Sequence, residues 1–178
     1  MQLESINPRN TAISKEMMER LYQEFRQQLF QYVLSRVGHR ESAEDIISIV
    51  FVNFFQYLLK KDPSESHHYR GLLYKIAKNE IADHFRGSGK DLFVDITEIE
   101  IIDDQSMSPF EETDQRLTIE VVDEAIEKLP EYYKELIRLR HIAQLEYSEI
   151  AELLSKKEGA IRVALHRALK MAQELVKK

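Results

Sequence analysis

From Ser14 onward the apolar positions Met17, Met18, Leu21, Phe25, Leu29, Val33 and Val37 recur at intervals of three and four, and Gly38 follows where a helix would end. This pattern predicts a first long helix with one buried face. A second helix is predicted to open at Ser42, with Asp45 as the other half of a capping box, and to run through Ile46, Ile47, Ile49, Val50, Phe51, Val52, Phe54, Phe55, Leu58 and Leu59 until Asp62 and Pro63 stop it. It is apolar nearly all round. Such a helix either sits at the centre of a core or covers a core with one face and a partner protein with another. A third helix is predicted from Tyr69 to Phe85, burying Tyr69, Leu72, Leu73, Ile76, Ala77, Ile81 and Phe85. Its other face gathers Lys75, Lys78, Asn79, Ala82 and Arg86 in one polar, mainly basic stripe, with Tyr74, His84, His67 and His68 on or near it. Interleaved aromatic and basic groups suit unstacked bases and phosphates, although an ordinary solvated helix face can carry the same residues.

After Arg86 the periodicity breaks at GSGK, and residues 91–114 carry acids and isolated apolar side chains without a sustained period. This segment reads as a linker, with room for a short strand or for docking of its apolar groups. Helical spacing returns at Leu117 with Val121, Val122, Ala125, Ile126 and Leu129, is interrupted by Pro130, and resumes through Tyr133, Leu136, Ile137 and Ile142. Leu145 to Gln173 then reads as a short helix, a tight basic turn and a longer helix. Ile150, Leu153 and Leu154 on the first helix and Ile161, Leu165, Ala168, Leu169 and Ala172 on the second can bury a common seam, as in a helix-turn-helix. Opposite that seam the second helix presents Ala160, Val163, Arg167 and Lys170, with His166 on the flank. Small residues there permit close approach to base edges, and Arg and Lys supply phosphate or guanine contacts. A plain amphipathic hairpin is the alternative.

Composition narrows the choice. The chain has 178 residues, with five Gly, four Pro and no Cys, which favours an all-helical build and excludes disulfides and thiolate chemistry. No apolar run near the length of a membrane span and no leader-like N-terminus are read from the sequence, so a cytoplasmic protein without membrane insertion is expected. The net charge of −6 argues against a nucleic-acid binder until its distribution is considered. Residues 1–86 carry 12 basic and 11 acidic groups, residues 87–127 carry 2 and 13, and residues 128–178 carry 11 and 7. The acidity belongs to the middle segment, and both flanking segments are net basic.

Taken in order, AEDIISIVFVNFF from Ala43, YRGLLYKIAKNEIADHFR from Tyr69, LPEYYKELIRLRHIAQLEYSEIAELL from Leu129 and EGAIRVALHRAL from Glu158 resemble a bacterial RNA polymerase sigma factor of the small, two-domain extracytoplasmic-function type. The resemblance implies an all-α fold. A region 2-like domain of three to four helices (14–88) and a region 4-like helix-turn-helix domain (117–178) would be joined by an acidic linker (89–116), after an N-terminal tail (1–13). It further implies binding to core RNA polymerase through the β′ clamp helices and the β flap, promoter DNA as the second partner, an anti-sigma factor as a third, and no cofactor, metal or catalytic residue.

On this reading Glu44, Asp45, Asn53 and Gln56 meet the clamp. Tyr74, Lys75, Lys78, Asn79, His84 and Arg86 hold the opened minus-ten strand, with Asn79 and its neighbours on a flipped base. Lys156, Lys157, Ala160, Arg162, Val163, His166, Arg167 and Lys170 face the minus-thirty-five duplex. The chain departs from the family pattern at Ser48 and Ile49, where Gln and Glu are common, and at Glu146, where a capping Ser is usual. It departs again at the turn Ser155, Lys156 and Lys157, where Gly, an apolar residue and Ser are typical. Two other classes compete: an operator-binding helix-turn-helix regulator, and an enzyme built on His67, His68, Asp83 and His84. The first leaves the Lys75–Arg86 stripe unexplained, and the second lacks any metal or phosphate-loop motif.

Overall fold

The computed structural model describes residues 14–60, 69–87 and 124–176. The expectations for the tail, for the Asp62–Pro63 stop, for His67 and His68, for the linker and for Leu117, Val121 and Val122 fall outside them. The chain divides into two compact units, Met1–Lys90 and Asp91–Lys178.

In the first unit, Ser14 starts α1 (Lys15–Val37) by accepting the Met17 N–H at 3.2 Å, and Gly38 ends it at φ 75°, a conformation that glycine adopts at little cost. The chain reverses at once into α2 (Arg40–Lys60), two residues earlier than the Ser42 cap predicted from sequence. There the Ala43 N–H bonds the His39 carbonyl at 3.0 Å and Arg40 pairs with Glu44 one turn on at 2.8 Å, so Ser42 lies inside the first turn. By length and composition α2 could cross a membrane, which the sequence reading missed. Its inner face is instead built into a helical core. α2 packs against both α1 and α3 (Tyr69–Gly87), and α1 also touches α3. Leu21, Phe25, Leu29, Tyr32 and Val33 of α1, Ile46, Val50, Phe51, Phe54 and Leu58 of α2, and Leu73, Tyr74, Ala77 and Ile81 of α3 are all buried in this core. Each Val, Leu, Ile or Phe among them, fully buried, contributes about 1.5–3 kcal/mol.

Among its described residues the second unit begins with a helical turn at residues 124–127, and Pro130 starts α4 (Glu131–Ile137). α4 then widens into a π-helical turn, Arg138–Ile142, where the Ala143 N–H reaches back to the Arg138 carbonyl at 2.9 Å. Gln144 leaves it at φ 54°. Arg138 is buried in the unit, where Glu131 holds it at 2.8 Å and Glu127 at 3.5 Å. Lys134 bonds the same Glu127 at 2.9 Å, which keeps that carboxyl below its ordinary range. A buried guanidinium is tolerable only with such partners. The helix-turn-helix follows as α5 (Tyr147–Leu153) and α6 (Glu158–Val176), with α6 packed on both α4 and α5.

Tyr132 of α4 is buried, its hydroxyl has no hydrogen-bond partner among the described residues, and burial, aided by neighbouring Tyr133, pushes its pKa up to about 12. The folded state therefore holds this proton more tightly than the unfolded chain. The stabilisation is complete below pH ~10 and is lost as pH rises toward the folded value, by about 2–3 kcal/mol for a shift of this size. Urea unfolding across that range should show the difference in stability between Tyr132→Phe and the native chain widening in favour of the Phe variant above pH ~10, and parallel stability curves would refute the assignment.

Candidate polymerase and nucleic-acid interfaces

The outer face of α2 is an apolar ridge. Asp45, Ile49, Val52, Gln56 and Leu59 succeed one another at four, three, four and three residues, and Ile49, Val52 and Leu59 are 48%, 54% and 47% exposed. Single exposed apolar residues are ordinary on a protein surface, whereas three on one stripe suggest a docking face. The residues expected here do not all belong to it. Asp45 and Gln56 are exposed along the ridge, but exposed Glu44 carries the Arg40 ion pair. Asn53 turns toward α3 and donates to the Glu80 carboxylate at 2.9 Å, so its amide joins two helices. Ser48 donates to the Glu44 carbonyl of its own helix at 2.9 Å, which leaves Ile49 to dominate that turn.

On α3, Lys75, Asn79 and Arg86 are exposed and Lys78 is half-buried. Arg86 is paired with Asp83, so part of its charge is already used within the helix. His84 is half-buried, set edge-on to Phe85 at 5.5 Å. Tyr74 is a core residue and not part of the surface: it is 1% exposed, and its ring meets Tyr32 of α1 edge-on at 5.3 Å. Ala82 is buried as well, while Tyr69, Leu72, Ile76 and Phe85, expected inside, are half-exposed. The helix is thus rotated from the sequence estimate. Its buried centre lies toward Tyr74 and Ile81, because α1 offers Tyr32 as a socket there.

In the helix-turn-helix, Glu149 accepts the Glu146 N–H at 2.8 Å in a capping-box arrangement, so Glu146 opens α5 in place of the usual Ser. α5 ends in a Schellman-type closure. The Lys156 N–H bonds the Ala151 carbonyl at 2.9 Å and the Ser155 N–H bonds Glu152 at 3.2 Å, which forces Ser155 to φ 54°. A side chain there costs roughly 1 kcal/mol relative to glycine. Ser155→Gly is therefore expected to stabilise this unit by about 1 kcal/mol in chemical denaturation, and an unchanged or lowered midpoint would contradict the strain. Ile161, Ala164, Leu165, Ala168 and Ala172 face the core, and Leu169 is only half-buried. Opposite them lie Ala160, Val163, His166 and Arg167, all half-exposed, with exposed Lys170. Lys157 is exposed and Lys156 half-buried in the turn. Arg162 is exposed but engaged, donating to Glu158 at 2.6 Å and lying over the Tyr147 ring at 4.2 Å.

Each unit thus carries a distinct surface, an apolar ridge beside a basic helix face in the first and a basic helix-turn-helix in the second. Comparison with known proteins matches each unit to a family. Residues 21–90 match the Sigma-70 region 2 family and residues 119–171 the Sigma-70, region 4 family. The chain is 27% identical over 157 residues to the ECF RNA polymerase sigma factor BldN of Streptomyces coelicolor, covering 88% of this chain and 59% of that one. It is 27% identical over 158 residues to the RNA polymerase sigma factor YlaC of Bacillus subtilis, covering 86% and 88%. The fold is shared with the sigma factor RpoE of Bartonella quintana, solved in complex with the anti-sigma factor NepR, at TM-score 0.63 and 18% identity over 92% of this chain and 98% of that one.

Proposed function

Since the chain belongs to the sigma-70 family, as an extracytoplasmic-function factor with region 2 and region 4 domains that directs RNA polymerase to promoters, we propose how its surfaces divide that task. The ridge Asp45, Ile49, Val52, Gln56 and Leu59 docks on the β′ clamp helices. The adjoining α3 face, Lys75, Lys78, Asn79 and Arg86, holds the opened minus-ten strand. α6 enters the minus-thirty-five major groove through Ala160, Val163, His166, Arg167 and Lys170, while Lys156 and Lys157 hold phosphates and the unit as a whole rests on the β flap. Residues 89–116 act as the tether.

The observation that carries this reading is the juxtaposition in the first unit of an exposed apolar ridge and a basic helix, tied together by Asn53 and Glu80. A protein without nucleotide chemistry opens DNA only by binding the exposed strand better than the duplex, so its strand-holding face must be rigidly connected to the enzyme it serves. The factor is not an enzyme itself. An anti-sigma protein of the kind seen on RpoE would compete for the same ridge, and both partners act in the cytoplasm. The test is capture of core polymerase by the tagged full chain, followed by in vitro transcription from fragmented genomic DNA. Discrete initiation sites are expected. Duplex binding without capture of core would point instead to an operator-binding regulator.

A further inference from the structure

Tyr147 opens α5, and two guanidiniums from other segments meet its ring: Arg140 of the π-helical turn at 4.8 Å from the centroid and Arg162 of α6 at 4.2 Å. Each brings its own carboxylate, Glu146 to Arg140 at 3.0 Å and Glu158 to Arg162 at 2.6 Å. Arg140 is also anchored to the Leu145 carbonyl at 2.9 Å. Two cations and two anions make the cluster charge-balanced, so it adds little long-range attraction for phosphate. The ring at its centre is half-buried and lies outside the core that holds the unit together.

What the cluster joins is specific. It links the π-helical turn, the start of α5 and the first turns of α6 on the far side of the strained Ser155 turn. Resting on the assignment of α6 to the major groove, we propose that Tyr147 is a positioning residue for promoter reading. Its ring sets the rotation of α6 relative to α5, and Arg162 serves as the strut against it instead of as a DNA contact. To reach a phosphate, Arg162 would have to give up both the ring face and the Glu158 carboxylate, on which its Nε and Nη2 both converge. A guanidinium stacked on a ring and held through two nitrogens by one carboxylate oxygen has less freedom to turn toward DNA. Base readout in turn needs side chains held in fixed register with the groove, since a small rotation of the helix misaligns every contact together.

The test uses holoenzyme assembled from the full chain. Its probes are a promoter fragment selected by the native holoenzyme and the same fragment with the upstream element replaced. Tyr147→Ala is expected to lower the affinity ratio between the two fragments by about tenfold, the scale of two partly exposed cation–π contacts. The same lost contacts should lower the melting temperature by only a few degrees, and the salt dependence of binding should be unchanged. Tyr147→Phe, which keeps the π face, is expected to retain the native ratio. An unaltered ratio in Tyr147→Ala would overturn the proposal. So would a Phe variant as defective as the Ala variant, which would place the hydroxyl on DNA. A shallower salt slope in Arg162→Gln, by about one phosphate's worth, would likewise restore Arg162 as a contact. Native holoenzyme indifferent to the upstream element would overturn the groove assignment, and this proposal with it.

Discussion

Replacing Ile49 and Val52 together by glutamate is expected to weaken binding of core polymerase by about a hundredfold or more, while the isolated protein unfolds at nearly its native denaturant midpoint. Both side chains are about half exposed in the free chain, so truncation removes little folding energy. Docking, however, would bury the remainder of each, and a carboxylate in that place must be desolvated without a partner. The lost apolar burial and the added polar penalty together amount to about 3–5 kcal/mol, which corresponds to a factor of about 100 to several thousand. Titration of labelled core polymerase measures it directly. The contrast is with Asp45→Ala and Gln56→Ala, which remove rim polarity and should cost no more than a few-fold. If the alanine pair proved the more damaging, the interface would be polar and the ridge incidental.

Charge reversal at Lys75 and Lys78 should have an effect of similar size at a later step. Polymerase capture should persist, because both lysines lie on α3 and neither belongs to the outer stripe of α2. Open-complex formation should fall by about a hundredfold or more, since two attractive contacts to a single strand become two repulsions. Permanganate reactivity of unpaired thymines reports opening without relying on transcript yield. The residual signal should recover partly at low salt for Lys75→Ala and Lys78→Ala, but not for the reversals. Normal opening by the doubly reversed protein would remove the strand-holding role from this face.

Much of the fold was readable because it rests on local chemistry. Ser14 and Gly38 bracket α1 through capping and left-handed geometry, and the seam of Ile150, Ile161, Leu165 and Ala168 follows from helical spacing alone. The errors have long-range causes. Tyr74 looked like a surface aromatic because its neighbours Lys75 and Lys78 are polar; only Tyr32, on another helix, draws it inside. Asn53 looked available for a partner because Glu80 lies far along the chain. Arg138 offered no sign of burial, since an arginine on a charged helix ordinarily faces solvent. Among the interface residues, spacing located the basic stripes, but it could not show which charges were already spent on neighbours, as with Arg86 on Asp83 and Arg162 on Glu158. Tyr147 escaped notice for the same reason, its two cations being seven residues before it and fifteen after.

The ridge on α2 also governs how the purified protein behaves in a tube. With no partner present, Ile49, Val52 and Leu59 offer the same sticky surface on every molecule, and mutual repulsion from a net charge of −6 is what keeps copies apart. Added salt screens that repulsion, and sulfate or phosphate salts also strengthen apolar association. The unpartnered protein should therefore be best behaved when dilute in low-salt buffer, and should associate first in conditions often chosen to keep nucleic-acid-binding proteins clean.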